Sequence, residues 1–178
     1  LPADTGTVEY PTQTSNNRIR FWQRNDGSIG YWATQSTFGM EYPKGSAYSL
    51  NYAGGIYIGG IKRGAGGVPD TIAVSNYEFA GEFQPGRILN SGPFGNLFSE
   101  DYHTIQTFFS LPENAHNWPT GAPKNQLGQA LQLSGKDTWT VFNDINLSLH
   151  RPDNQALTLF SPSLGIEVQR QTFQYEHY

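Results

Sequence analysis

The chain has 178 residues, 37% hydrophobic and 15% charged, with a formal net charge of -4 and no cysteine. That length suits one buried core rather than two full domains, and the mild acidity without a basic tail argues against a nucleic-acid partner held by phosphate contacts. Without cysteine there is no disulfide framework, thiol nucleophile or thiolate metal site, and no apolar run approaches the length of a membrane span.

Tyr, Phe, Gly, Thr, Ser, Asn and Gln are abundant, which suits strands with polar outer faces joined by tight turns. The expected fold is all-β: a single jelly-roll-like β-sandwich of about eight or nine strands over residues 17–178, with long apolar loops, preceded by an extended arm over residues 1–16. A start at Leu1 with no leader fits an exported, processed chain.

In the arm, Thr7-Val8-Glu9-Tyr10 alternates and puts Val8 and Tyr10 on one side. Such a segment is either an edge strand of its own domain or a strand given to a neighbouring subunit. Next, the alternation from Arg18 to Arg24 turns Ile19 and Phe21 inward and Arg18, Arg20, Trp22 and Arg24 outward. The outward stripe could meet an acidic or sugar surface, or pair with cross-strand carboxylates. Asn25-Asp26-Gly27-Ser28 predicts a hairpin turn, because Asp-Gly tolerates the positive φ that such turns demand, and a second strand follows over 29–34.

Residues 38–46 are irregular, and Tyr48, Leu50 and Tyr52 lead into Tyr52-Ala53-Gly54-Gly55-Ile56-Tyr57-Ile58-Gly59-Gly60-Ile61. This glycine-rich run reads as a central strand whose glycines admit a close neighbour. A hairpin at 62–69 returns through a strand over 70–79. Residues 80–99 and 111–126 read as long loops, and further strands are expected at 102–109, 127–133, 138–142, 156–160 and 165–175. In the last of these, Ile166 and Val168 fall on one face and Phe173 and Tyr175 on the other, so a bulge near Arg170 is expected.

Signals of chemistry are sparse. His103, His116, His150 and His177 show no ligand spacing and read as loop and edge residues. Glu100-Asp101, or Asp137 with Asp144, would form a glycosidase pair only by facing each other across a substrate. Asn143-Asp144-Ile145-Asn146 reads as part of a calcium loop or, more simply, as an Asx-stabilised turn. Aromatics at Trp22, Tyr31, Trp32, Tyr48 and Trp118 either stack on a sugar or fill the sandwich. No Gly-x-Ser-x-Gly and no nucleotide fingerprint occurs, so neither an enzyme nor a cofactor is expected. Asn146-Leu147-Ser148 is an N-glycosylation sequon by pattern.

Several blocks, in order across residues 17–176, resemble the N-terminal β-domain of large exported surface proteins of Bacteroidota, many of them type IX secretion cargo. They are Met40-Glu41-Tyr42-Pro43-Lys44-Gly45-Ser46, Gly54-Gly55-Ile56-Tyr57-Ile58-Gly59-Gly60, Asp70-Thr71-Ile72-Ala73-Val74, Glu82-Phe83-Gln84-Pro85-Gly86, Trp118-Pro119 with Gly121-Ala122-Pro123, Thr138-Trp139-Thr140-Val141-Phe142-Asn143-Asp144 and Leu164-Gly165-Ile166-Glu167-Val168-Gln169. The resemblance implies an extracellular domain and carries over no catalytic residue. Asp4-Thr5-Gly6, Asp70-Thr71-Ile72 and Asp137-Thr138-Trp139 look like the O-glycosylation signal of such proteins, which makes Thr5, Thr71 and Thr138, with Asn146, the candidate glycan sites.

The similar proteins look as though they continue past the equivalent of Tyr175 into further strands. A sheet that stops there exposes an edge, which a spare arm can cover. The expectation is therefore a subunit of an extracellular fibre whose partners are copies of itself. Thr7, Val8, Glu9 and Tyr10 would add to the edge that bears Ile166, Val168, Phe173 and Tyr175. The alternative is a monomeric surface adhesin or carbohydrate-binding module that uses Arg18, Arg20, Trp22 and Arg24.

Overall fold

Residues 137–142 are β-branched or aromatic at almost every position, and a run suited to burial on both faces belongs in the middle of a sheet. The computed structural model, which describes residues 18–21, 23–30, 40–76, 81–88, 98–99, 106–109, 120–150 and 162–175, places this run at the centre of its largest sheet.

The described residues form an all-β chain in small antiparallel sheets. In order the strands are β1 (Arg20–Phe21), β2 (Ile29–Gly30), β3 (Met40–Glu41), β4 (Ser49–Asn51), β5 (Ala53–Gly54), β6 (Tyr57–Arg63), β7 (Pro69–Ser75), β8 (Gln84–Pro85), β9 (Arg87–Ile88), β10 (Phe98–Ser99), β11 (Gln106–Phe109), β12 (Lys136–Asn143) and β13 (Glu167–Gln174). Helical structure among them is limited to 3-10 turns at Ala65–Gly67 and Leu147–Leu149, so none of these helices is long and apolar enough to cross a membrane.

β12 pairs with β13 along its whole length, while β11 and β8 share its other edge, one near each end. Three smaller pairs, β2 with β5, β6 with β7 and β9 with β10, and the three-stranded β1-β3-β4 sheet make up the rest.

Alternation along β12 builds two cores. Trp139 and Val141 pack on Ala122 and Ala130 on one face. On the other, Phe142 joins Ile72, Val74 and Phe83, with Ile56, Ile58, Leu164, Ile166 and Val168 around them. Phe83 meets Phe142 edge to face, with ring centroids 5.4 Å apart.

The turn at Asn25-Asp26-Gly27-Ser28 forms as its residue types predict. Gly27 takes φ +90° and donates its N–H to Arg24 O at 3.2 Å, while Gln23 bridges Ile29 across the hairpin. The Asp26 carboxylate holds Ser28 N at 2.9 Å and Ser28 Oγ at 2.6 Å. Gly27 also lies flat on Phe142: a Cβ there would stand 2.3 Å from Phe142 Cζ.

Four expectations need correction. The glycine-rich run is not central, because β6 pairs only with β7 among the described residues and glycine offers nothing to bury on either face. Gly60 does admit a close neighbour, since an added Cβ would meet Leu164 Cδ2 at 3.0 Å. Residues 127–133 form no strand, because the Asn125 side chain takes the Leu127 and Gln129 amides at 2.9 and 3.0 Å and turns the chain back, leaving a single bridge from Lys124 to Ala130. β13 has no bulge: its register to β12 runs unbroken from Glu167–Asn143 to Gln174–Lys136. His150 is no edge residue either. It is buried, with Nε2 2.7 Å from Asp144 O and Nδ1 3.5 Å from Glu82 Oε1. The expected strand at 156–160, and His103, His116 and His177, lie outside the described residues.

Candidate functional site

The longest strand with a paired neighbour on one side only, among the described residues, is β13. An unpaired edge is a template for another strand, and proteins usually blunt it with Pro, an outward Lys, a bulge or a very short strand. The eight residues Glu167-Val168-Gln169-Arg170-Gln171-Thr172-Phe173-Gln174 contain no Pro, Lys or bulge, and their two charged side chains, Glu167 and Arg170, are both engaged within the chain.

Three anchors hold this edge in place. At its start, the buried Asp144 carboxylate accepts the amides of Leu164 (2.6 Å), Gly165 (2.9 Å) and Ile166 (2.7 Å), so it serves as a backbone clasp. The neighbouring Asn143 closes an Asx turn on Ile145 N at 3.3 Å, as the sequence suggests. Near the end, Gln171 Nε2 donates to Leu131 O at 2.7 Å and to buried Asp137 at 2.8 Å, and Asp137 also takes Leu133 N and Ser134 N.

Arg170 is the middle anchor. Its guanidinium donates to Gly27 O (2.5 Å), Arg24 O (3.1 Å) and Gln23 Oε1 (3.2 Å), and it lies 5.8 Å from the centre of the Phe142 ring. Burial pushes its pKa down to about 10, against the opposing pull of the Asp26 carboxylate. Thr138, the cross-strand partner of Thr172, accepts from Gln23 Nε2 at 2.7 Å and shares a short hydrogen bond with the Thr172 hydroxyl. Arg170 and Thr172 thus continue the inward face begun by Ile166 and Val168 as a polar layer that captures the 23–28 turn. This is why no bulge is needed. Sequence reasoning missed the layer, although an Arg in phase between Val168 and Thr172 was its signal.

Of the residues proposed for assembly, Ile166 and Val168 pack into their own core. Phe173 and Tyr175 remain 51% and 52% exposed on the opposite face, in edge-to-face contact with centroids 5.9 Å apart. Thr7, Val8, Glu9 and Tyr10 lie outside the described residues, as do Thr5 and Trp22.

The proposed ligand stripe is engaged within its own chain. Arg20 pairs with the buried Glu41 at 3.0 Å, Arg24 reaches Asp26 at 3.5 Å, and Arg18 lies 5.4 Å from the centre of the Tyr42 ring. Two backbone hydrogen bonds, from Ala47 (2.7 Å) and Gly45, hold the Glu41 carboxyl below its usual range; Arg20 adds to this against the effect of burial.

Among glycan candidates, Thr71 is exposed on β7 and Asn146 is half-buried at the entry to the Leu147–Leu149 turn. Thr138 is 2% exposed with its hydroxyl bonded inside the sheet, so the folded chain does not present it for modification. Asp137 and Asp144 lie seven positions apart along extended chain, about 23 Å, and cannot face each other at the roughly 5–9.5 Å of a glycosidase pair. Each carboxylate is filled by its own loop. Glu100 and Asp101 lie outside the described residues, and among those described no cluster of His, Asp or Glu could hold a metal ion.

No protein-family model matches the chain, and comparison with curated proteins and with solved structures found no match.

Proposed function

We propose that this chain is a subunit of a self-assembling extracellular fibre, built as a single jelly-roll-like sandwich, in which residues 5–10 of one copy add as a strand to β13 of the next. The observation that carries this reading is the eight-residue strand β13, paired on one side only among the described residues and held in place by Asp144, Arg170 and the Asp137–Gln171 contact. Rigid edges lose little entropy on pairing, so the gain per hydrogen bond is kept. A head-to-tail contact of this kind does not close on itself and propagates as a filament.

A four-residue pairing over Thr7-Val8-Glu9-Tyr10 makes about four main-chain hydrogen bonds, worth ~0.5–1.5 kcal/mol each. Val8 and Tyr10 add ~1.5–3 kcal/mol each if fully buried, and the half-exposed Phe173–Tyr175 pair offers a surface for them. The extracellular setting follows from the resemblance of the chain to exported Bacteroidota surface proteins. The adhesin alternative is less supported, because Arg20 and Arg24 already have carboxylate partners.

The test is removal of residues 1–12 followed by electron microscopy. Filaments from the full chain and none from the shortened one are expected. Filaments from both would overturn the arm as the linker.

A further inference from the structure

Among the described residues other than glycine, Ala47 alone takes a positive φ, +60°. A Cβ disfavours that conformation, so it persists only where the surroundings impose it. The Ala47 side chain is exposed, so the hold is on its backbone: Ala47 N donates to Glu41 Oε1 at 2.7 Å. The loop over residues 42–48 is closed by Tyr42 N to Tyr48 O at 3.2 Å and Ser46 N to Pro43 O at 3.0 Å, and Lys44 N reaches across to Arg18 O at 2.7 Å. Glu41 in β3 and Arg20 in β1 are cross-strand partners, so one carboxylate joins this loop to the segment from Arg18 to Phe21.

The three groups that face the buried carboxylate all offer it a hydrogen. The Gly45 and Ala47 amides approach from the loop, and the Arg20 guanidinium from β1 at 3.0 Å. Of the other charged groups on these elements, Arg18 lies over the Tyr42 ring and Lys44 makes its contact through the backbone. β4, on the far side, brings Ser49, Leu50 and Asn51, which do not titrate. An ionised carboxylate accepts from all three donors at once. A protonated one turns an O–H towards donors, so it gives up at least one of them together with the attraction to Arg20.

We propose that Glu41 is an acid-sensitive catch: on taking up a proton it lets Ala47 leave the left-handed conformation, and the 42–48 loop opens together with its contact to Arg18. Because the carboxyl is held below the ordinary glutamate range, the loop is closed above that range and opens as pH falls through the folded value. Arg18 directly follows residues 1–17, so the same event loosens the segment into which the arm leads. That bearing on assembly rests on the strand-addition reading, whereas the opening itself does not.

Amide exchange on the dispersed chain, corrected for the intrinsic rate at each pH, reads the opening with no polymer present, so failure of strand addition would leave the result untouched. Between pH 6 and pH 2.5, protection at Ala47, Tyr42 and Lys44 should fall about ten-fold or more while protection along β12 is kept. Glu41→Gln should show the low loop protection already at pH 6. Ala47→Gly, which takes the left-handed conformation freely, should keep most of the protection at Tyr42 and Lys44 at pH 2.5. Should Glu41→Gln fail to fold, the parent and Ala47→Gly series decide. Loop protection that is constant with pH, that falls only in step with β12, that stays high in Glu41→Gln at pH 6, or that falls as far in Ala47→Gly as in the parent would overturn the proposal.

Discussion

Arg170 ties the 23–28 turn to the β12–β13 sheet, and its removal is the sharpest test of how the edge is held. Replacement by Met keeps much of the aliphatic volume over Phe142 but removes the donors to Gly27 O, Arg24 O and Gln23 Oε1. Arg24 O keeps the Gly27 amide as a partner, and Gln23 Oε1 keeps Thr172 Oγ1 at 3.4 Å, so Gly27 O is the acceptor left barest. An unsatisfied buried acceptor costs ~1–3 kcal/mol, and weakening two more adds to that, while the charge no longer has to be desolvated. The net expectation for Arg170→Met is a loss of about 3 kcal/mol. With an m-value of ~2 kcal/mol/M, the urea midpoint falls by about 1.5 M. Arg170→Lys keeps the charge but cannot span three acceptors with one ammonium, and should lose about 2 kcal/mol. Urea titration gives the midpoints, and amide exchange shows whether Gly27 N–H loses its protection first. Arg170→Met within 0.5 kcal/mol of the parent, or Gly27 still protected, would refute the clamp.

Gly27→Ala and Gly45→Ala form a second test, because both glycines have φ near +90° but only Gly27 lies against other atoms. About 1 kcal/mol should be lost at Gly45 and about 3 kcal/mol or more at Gly27, where the methyl collides with Phe142 and Asn76; equal losses in thermal melts would contradict the packing. The third test concerns Glu41. Because its folded pKa lies below the ordinary glutamate value, its stabilisation is complete above that ordinary value and disappears as pH falls through the folded pKa. Urea midpoints from pH 6 to pH 3 should therefore fall more steeply for the parent than for Glu41→Gln, and parallel profiles would refute the assignment.

The parts of the fold legible in the sequence are those governed by local chemistry. Asp26-Gly27 set the turn, and Arg20 found the cross-strand carboxylate that an outward Arg seeks. Competition for backbone amides and for places in the core decided the rest. The leucines of residues 127–133 alternate like a strand, yet Asn125 binds the amides that a ladder would need. Residues 52–61 have the composition of a strand, but glycine buries no side chain, and the β-branched and aromatic run over 138–142 took the centre instead. Arg170 broke the hydrophobic phase of β13, which suggested a bulge; a polar layer needs three separated segments to become visible, and no window of sequence contains them. At β13, Ile166 and Val168 serve the core of their own chain, while Phe173 and Tyr175 are the exposed pair.

Amide hydrogen exchange on dispersed and polymerised chain, read residue by residue across β13, tests the central claim most directly. Strand addition predicts that the alternate amides between Glu167 and Gln174 that face away from β12 exchange quickly in the dispersed chain and become protected in the polymer, together with those of Thr7 to Tyr10. Polymer in which those outward amides still exchange at the dispersed rate would contradict it.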